Sequence, residues 1–215
     1  TVFLDTDIDF SSDLSDKFEP IGVNSSFCFQ GIFDGHGHTI SSLAISSSSE
    51  YVGLFGRSTG ATIRNVLLDS SCSLVSSYSG SDDAYVGSVV GYCNGYCTVE
   101  TIVNMASVSF AGNTTGRNSD LYLGGVVGYF DASSYAVTMK NCANYGSVTY
   151  SGTSMHTVII GGILGGAEGW SSTKYIYIQN CLNYGTITHS GTTAGSLSIG
   201  GIIGYLYGTS DVEYC

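Results

Sequence analysis

The sequence predicts an all-β fold, a right-handed parallel β-helix with triangular coils of about 37 residues and almost no helix. A short glycine-rich phrase, named here the glycine motif, recurs five times. Its copies end at Gly56, Gly91, Gly128, Gly165 and Gly204, which lie 35, 37, 37 and 39 residues apart. Apolar, β-branched residues alternate with polar ones between these copies, and no segment keeps a 3.6-residue apolar period. Both patterns indicate stacked strands.

Each full repeat contains three strand-like runs, which in one copy are residues 136–142, 147–150 and 157–164. Successive coils would then stack about 4.8 Å apart. We expect a single domain, with residues 1–30 as an amino-terminal strand and cap-like segment and residues 31–215 as stacked coils. The coils form either a whole subunit or part of a longer repeat chain.

Stacking places equivalent residues of successive coils beside each other. A second repeated element has apolar residues at its first and fourth positions. Its fourth positions predict one inward column: Leu43, Val66, Ile102, Cys142, Cys181 and Cys215. A second column is predicted from Cys72, Val108, Val148 and Ile187.

Two later copies match over eight positions, residues 141–148 and 180–187, which indicates true internal duplication. They predict a ladder of side-chain amides from Asn104, Asn144 and Asn183. Tyr145 should stack on Tyr184. Gly146 and Gly185 should form tight corners with positive φ.

The glycine motif has two explanations. Close approach of another backbone or of an aromatic ring would exclude side chains there, and we favour this because the pattern recurs in every coil. The alternative is a binding face.

Composition excludes several classes of partner. Six Lys and Arg residues against 17 Asp and Glu give a formal charge of -11, so a nucleic-acid partner is not expected. Apolar runs are too short for a membrane-spanning helix, which needs about 20 residues.

Two glycosylation sequons begin at Asn24 and Asn113, in stretches that read as loops. A secretory signal would have been removed or would lie outside this sequence.

Residues 4–66 resemble the GLUG-motif repeat family, and the resemblance continues more loosely through the repeats to the end of the sequence. Residues 52–56, Val-Gly-Leu-Phe-Gly, match its namesake phrase, and residues 29–40 look like its Phe-x-Gly-x-Phe-Asp-Gly-x-Gly-His-x-Ile element. Residues 4–9 and 20–22 are similar to its first strand and turn. The resemblance implies a β-helical rod on a secreted or cell-surface protein, with no general catalytic residues.

Metal binding has two candidate segments. Asp34, His36 and His38 lie within five residues, but the glycines between them indicate a structural turn. An acidic segment resembles a calcium loop, with Asp5, Asp7, Asp9 and Asp16. It lacks the sixth-position glycine and the twelfth-position glutamate. We therefore expect an alternating strand there and no metal or other cofactor.

Catalysis is not expected. Asp82 and Asp83 are the one adjacent acidic pair outside the amino-terminal cluster, and they fall in a turn between coils. The scarcity of basic residues argues against a lyase acting on acidic polysaccharides. Cys93 and Cys97 flank an Asn-Gly turn and are the best disulfide candidate, while seven cysteines leave at least one unpaired within the chain.

The leading functional hypothesis is an extracellular structural protein, a glycosylated cell-surface or fibre-forming subunit. Parallel coils leave strand edges open at both ends, so copies could assemble head-to-tail into filaments. The first alternative is a carbohydrate-binding adhesin module that uses Tyr92, Tyr129 and Tyr205 as stacking platforms for glycans. The second is a polysaccharide-degrading β-helix enzyme with two facing carboxylates.

Overall fold

A computed structural model describes residues 1–12, 18–170 and 175–215. In this part of the chain every element is a β-strand and every strand pairing is parallel. The strands wind as a β-solenoid with coils of about 37 residues, which confirms the predicted fold class.

The strands are numbered in chain order. Those of the amino-terminal segment and first coil are β1 Val2–Phe3, β2 Ile8–Asp9, β3 Ile32–Asp34, β4 Thr39–Ser41, β5 Ala44–Ser47, β6 Tyr51–Val52 and β7 Phe55–Thr59. Those of the second coil are β8 Thr62–Leu68, β9 Ser73–Ser76, β10 Ser79–Gly80, β11 Ala84–Val86 and β12 Val90–Asn94. Those of the third are β13 Cys97–Asn104, β14 Ser107–Phe110, β15 Asn113–Thr114, β16 Leu121–Gly124 and β17 Val127–Asp131.

Two further coils complete the described solenoid. The fourth contains β18 Val137–Asn144, β19 Val148–Tyr150, β20 Thr153–Ser154, β21 Val158–Gly161 and β22 Leu164–Glu168. The fifth contains β23 Ile176–Gln179, β24 Leu182–Asn183, β25 Ile187–His189, β26 Thr192–Thr193, β27 Leu197–Gly200 and β28 Ile203–Tyr207, after which β29 Ser210–Glu213 pairs with β23.

Equivalent strands of successive coils form five sheets, named in their order along a coil. Sheet 1 contains β1 to β4, β8, β13, β18, β23, β24 and β29; sheet 2 contains β5, β9, β14, β19 and β25; sheet 3 contains β10, β15, β20 and β26; sheet 4 contains β6, β11, β16, β21 and β27; sheet 5 contains β7, β12, β17, β22 and β28. Among the described residues, the first coil contributes no strand to sheet 3.

The prediction of three strands per coil was wrong, because a described full coil contributes to five sheets. The predicted strand 157–164 is interrupted at Gly162 and Ile163, where the chain turns from sheet 4 into sheet 5. The short strands of sheet 3 were not predicted.

Inward columns of apolar side chains fill the solenoid. Val66, Ile102 and Cys142 are in register, and all three are buried. Leu43 was assigned to this column incorrectly: Ala44 pairs with Ser73, so Leu43 lies beside Cys72. The interval of 23 positions from Leu43 to Val66 is too short for a coil.

Cys72 was also misassigned. The column of Val108, Val148 and Ile187 continues through Leu74, which is two residues further along the chain than Cys72. Cys72 is buried and its Sγ lies 3.2 Å from the carbonyl oxygen of Ile40.

Side-chain amides connect the later coils between sheets 1 and 2. Asn104 Nδ2 donates to Asn144 Oδ1 at 2.7 Å, and Asn144 Nδ2 donates to Asn183 Oδ1 at 2.9 Å. Tyr145 and Tyr184 stack beside the ladder with ring centroids 5.0 Å apart. Gly146 and Gly185 do not have the expected positive φ. Glycine is required at Gly146 because a side chain there would strike the carbonyl of Ala106.

The left-handed residues lie instead within sheet 1. Asn65, Thr101, Asn141 and Asn180 have φ between 53° and 55° and occupy the third position of the repeated element. The outward residues before the first three of them, Arg64, Glu100 and Lys140, form a column of alternating charge. The column continues with the neutral Gln179. Arg64 contacts Asp34 at 2.8 Å, and Lys140 contacts Glu100 at 2.8 Å. These charges favour the observed register.

Residues 1–12 and 18–30 lie along part of the first coil. β1 pairs with β3, and β2 pairs with β4. Ile21 and Phe29 form isolated bridges to β7. The single alternating strand expected at residues 4–10 is absent from this described segment, where two short strands are present instead.

Candidate functional site

The glycine motif bends sheets 4 and 5 against each other on the outside of the solenoid. An added Cβ at Gly91 would lie 2.9 Å from both Tyr85 O and Val52 N. At Gly128 it would lie 2.6 Å from Val86 N. Only glycine leaves room for strand backbones at this distance, so close packing explains the motif.

Outward side chains of the two sheets therefore meet in a second apolar cluster, separate from the core. This tyrosine cluster consists of Tyr92, Tyr122, Tyr129 and Ile159, with Tyr51 and Tyr85 packed against them. Within sheet 4, Tyr85 stacks on Tyr51 at 5.5 Å and on Tyr122 at 5.4 Å between ring centroids. Across the sheets, Tyr85 meets Tyr92 at 5.0 Å and an interplanar angle of 70°.

Carboxylates accept hydrogen bonds from the tyrosine hydroxyl groups of this cluster. Tyr92 donates to Asp131 at 2.8 Å and Tyr129 donates to Glu168 at 2.9 Å, each one coil further along. Tyr85 donates to Asp83 at 2.9 Å. The acids thus border the cluster and orient its rings.

Burial and negative charge both act on these groups. Burial, followed by the charge of Asp83, raises the pKa of Tyr85 far above its ordinary value. Burial, followed by the hydrogen bond to Glu168, does the same for the pKa of Tyr129. Burial also raises the pKa of the Asp83 carboxyl group. The phenols therefore stay neutral donors at physiological pH.

Arg57 supplies a positive charge at one end of the cluster. Its guanidinium carbon lies 4.4 Å from the centroid of Tyr92 and 5.2 Å from that of Tyr51. Its Nη1 donates to Tyr51 Oη at 3.0 Å. The tyrosine cluster thus already binds a cation by its ring faces.

Two cavities open beside the cluster. One of about 440 Å³ is lined by Glu50, Tyr51, Ser81, Asp82, Asp83, Tyr85 and Asn118. The other, named here the Tyr205 cavity, has about 430 Å³ and is lined by Asp120, Tyr122, Thr157, Ile159, Glu168, Ser196, Ser198 and Tyr205. Both combine aromatic rings, hydroxyl groups and carboxylates.

The proposed glycan-stacking tyrosines differ in accessibility. Tyr92, Tyr129 and Tyr205 share one side of sheet 5. Tyr92 and Tyr129 are each only 8% exposed, because neighbouring rings cover them, and the prediction that they are open platforms was wrong. Tyr205 is 38% exposed.

The histidine segment has a structural role. Asp34 is buried and accepts hydrogen bonds from Arg64, Asn65 and the backbone of His36. Burial alone would raise the pKa of Asp34, but these hydrogen bonds lower it to about 2. His38 Nδ1 lies 3.2 Å from Asp7 Oδ1.

The calcium-like pattern is only partly visible. Asp5 and Asp9 are exposed, and Asp16 lies outside the described residues. Within residues 1–12, 18–170 and 175–215, no three acidic, histidine or cysteine side chains are grouped to hold a metal ion.

Five of the seven cysteines form a disulfide or a row of thiols. Cys93 and Cys97 form a disulfide with their Cα atoms 6.4 Å apart, between sheets 5 and 1. Cys142 and Cys181 are buried free thiols in neighbouring coils, and Cys215 follows them at the exposed end. Burial raises the pKa of Cys142.

Both sequon asparagines are exposed. Asn24 lies in a turn where its side-chain oxygen accepts the backbone N–H of Ser26, and Asn113 lies in β15. In the described ranges, none of the structure is a helix with the length and apolar character needed to cross a membrane.

Comparison with solved structures agrees with the fold, and comparison with known sequences finds a partial relative. The chain is 35% identical over 125 residues to halomucin from Haloquadratum walsbyi, and the match spans 54% of this chain and 1% of halomucin. A solved structure from Bacteroides ovatus, named "putative immunoglobulin A1 protease", has a similar fold with a TM-score of 0.53 and 16% identity. It matches 98% of this chain and 77% of that one. No protein-family model matches the sequence.

Sequence reasoning missed Tyr51, Tyr85 and Tyr122. Each precedes a glycine motif by the same short interval, in Tyr-Val-Gly, Tyr-Val-Gly and Tyr-Leu-Gly. The repeated tyrosine directly before the glycine motif was the available signal. Its meaning depends on the angle between two sheets, which the pattern does not contain.

Proposed function

We propose that this chain is a non-catalytic structural module of the cell surface or extracellular space. In this proposal it is a glycosylated solenoid of the GLUG-motif type that assembles head-to-tail with further copies. The similarity to halomucin, a protein named as a mucin, supports an extracellular location. The exposed Asn24 and Asn113 are suited to carry glycans.

The observation that carries the proposal is the apolar edge of the fifth coil. Ile199 is 49% exposed, whereas Val86, Leu123 and Ile160, which occupy the same column of sheet 4, are all 0% exposed. Leu197 is similarly exposed, and its equivalents Ala84, Leu121 and Val158 are buried. A matching strand edge, supplied by a second copy or by a further coil of a longer chain, would bury these side chains and pair the backbone groups of this edge.

The first coil offers such an edge in two sheets. The amino-terminal segment lies along sheets 1 and 5 and pairs there with β3, β4 and β7. In the described residues, β5 and β6 are terminal strands of sheets 2 and 4. A second copy could therefore continue these two sheets, giving an open-ended contact.

Sedimentation velocity and electron microscopy over a range of concentrations would test this assembly. We expect short rods that lengthen with concentration. Ile199→Arg should suppress them, whereas Met155→Arg, at an equally exposed site away from the edge, should not. Monomers at every concentration, or equal effects of both variants, would refute head-to-tail assembly.

The carbohydrate-binding alternative is less well supported. It depends on three exposed rings in one row, and Tyr92 and Tyr129 are buried. For the enzyme alternative, the described residues offer Asp120 and Glu168, which line one cavity, but both carboxylates already have partners in His156 and Tyr129. Assembly through strand edges is the function that the described geometry supports best.

A further inference from the structure

We infer that the Tyr205 cavity binds a cationic side chain, the guanidinium group of an arginine presented by a partner peptide or protein. This binding site lies on the side of the solenoid. Two of its lining residues, Ser198 and Tyr205, belong to the terminal strands β27 and β28, but the site uses outward side chains, whereas the assembly proposed above uses the strand edges and the inward Ile199.

The chain contains an example of the proposed interaction. In sheet 5, Arg57, Tyr92, Tyr129, Gly166 and Tyr205 occupy equivalent positions in successive coils. At the first of these positions the Arg57 guanidinium lies against the rings of Tyr51 and Tyr92. The same face can therefore hold a guanidinium group without steric conflict.

The column of large side chains is interrupted at Gly166. An added Cβ there would lie 2.7 Å from the ring of Tyr122, so this ring leans over the glycine backbone. Ile159 and Ser198 replace tyrosine in the adjacent column of sheet 4. These smaller residues leave the Tyr205 cavity open beside the ring of Tyr205.

The charged groups of the cavity favour a cation. Asp120, just before β16 of sheet 4, and Glu168, at the end of β22 in sheet 5, both line it. His156 Nδ1 lies 2.5 Å from Asp120, while Glu168 accepts a hydrogen bond from the neutral Tyr129 hydroxyl. No Lys or Arg lines the cavity among the described residues.

Arginine suits this arrangement better than other ligands. Its planar guanidinium can stack on Tyr205 and also donate to Glu168, as Arg57 does with Tyr92 and Tyr51 at the other end. An anionic ligand would be repelled by both carboxylates. A neutral sugar could use the ring and the hydroxyl groups but would gain nothing from the two charges.

Isothermal titration calorimetry with an acetylated tri-arginine amide would test this inference. A tri-citrulline peptide of the same length is the control, because citrulline keeps the shape and removes the charge. We expect saturable binding of tri-arginine that weakens with salt, and about tenfold weaker binding of tri-citrulline.

Variants locate the binding. Glu168→Gln should weaken tri-arginine binding about tenfold and Tyr205→Ala about fivefold, while Tyr205→Phe retains most of it. Glu213→Gln, at an exposed acid in β29, should leave the affinity within about twofold of the parent. Circular dichroism spectra of all variants verify that they fold.

Several results would overturn the inference. They are equal affinity for both peptides, an equal loss in Glu213→Gln and Glu168→Gln, or no saturable binding into the millimolar range. Binding of a neutral oligosaccharide that depends on Tyr205 but not on Glu168 would identify the cavity as a glycan site instead. None of these results bears on assembly through Ile199.

Discussion

The side-chain amide of Asn104 donates a hydrogen bond to that of Asn144 in the next coil. The buried Asn144 amide in turn donates one to Asn183 in the coil after that. Asn144 Nδ2 also donates to Gly146 O at 2.9 Å, and its Oδ1 accepts the N–H of Gly146. One side chain therefore satisfies polar groups in three successive coils.

Replacing this residue should destabilise the solenoid strongly. Asn144→Ala removes these hydrogen bonds and leaves buried partners unsatisfied, so we expect a loss of about 2–3 kcal/mol in the free energy of unfolding. Urea denaturation would measure it. Asn113→Ala, at an exposed strand position, should change stability by less than about 0.5 kcal/mol. Equal losses would show that the ladder has no special role.

The glycine motif of the later coils contains two adjacent glycines, and the second of the two offers an internal control. Gly162 and Gly201 are equivalent residues of the fourth and fifth coils. A side chain at Gly162 would strike Gly201 O and the Asn183 amide, whereas at Gly201 nothing lies within 4 Å. We expect Gly162→Ala to cost at least about 2 kcal/mol and Gly201→Ala almost nothing. Thermal unfolding of both variants would decide, and similar melting temperatures would contradict the close-packing explanation.

Substitution of Thr101 should stabilise the folded protein. It has φ of 55°, a conformation that is unfavourable for a β-branched residue, and asparagine occupies the equivalent positions 65, 141 and 180. Thr101→Asn should raise the free energy of unfolding by about 0.5–1 kcal/mol. Thr98→Asn, an outward position of β13 with φ outside that region, should not stabilise. A lower stability of Thr101→Asn would refute this account of the bend.

Acid should weaken the first coils through Asp34. Its pKa is about 2 in the folded protein, below the ordinary 3.8, so the unfolded state takes up the proton first as pH falls. The stabilisation is therefore complete above pH 3.8 and is lost as pH falls towards 2. Asp34→Asn should reduce stability at pH 6 and differ little from the parent near pH 2, as measured by urea denaturation. Asp5→Asn, at an exposed site, should show no such convergence.

The stacking of the later coils could be predicted because two copies match residue by residue. The shared Asn-Tyr-Gly at residues 144–146 and 183–185 aligns the amides and the rings without any knowledge of the sheets. The first coil does not follow the regular spacing of the later coils. The turn at residues 35–38 displaces its register, so that Phe33 pairs with Ile63 while Ile40 pairs with Leu68.

The candidate site was harder to predict than the fold. Whether Tyr92 and Tyr129 are exposed depends on how sheets 4 and 5 bend towards each other, which is a property of backbone packing at Gly91 and Gly128. Alternation along one strand distinguishes inward from outward residues. It does not reveal that two outward faces meet and bury each other.

Parallel stacking also determines how such a molecule would respond to tension between its two ends. Successive coils are joined edge to edge, so a pull at the carboxyl-terminal side of the described coils loads the fifth coil before the others. Each coil of about 37 residues would extend by about 130 Å when it is released. Stretching would then proceed in nearly equal steps, with one coil unfolding at each step and dissipating part of the applied work.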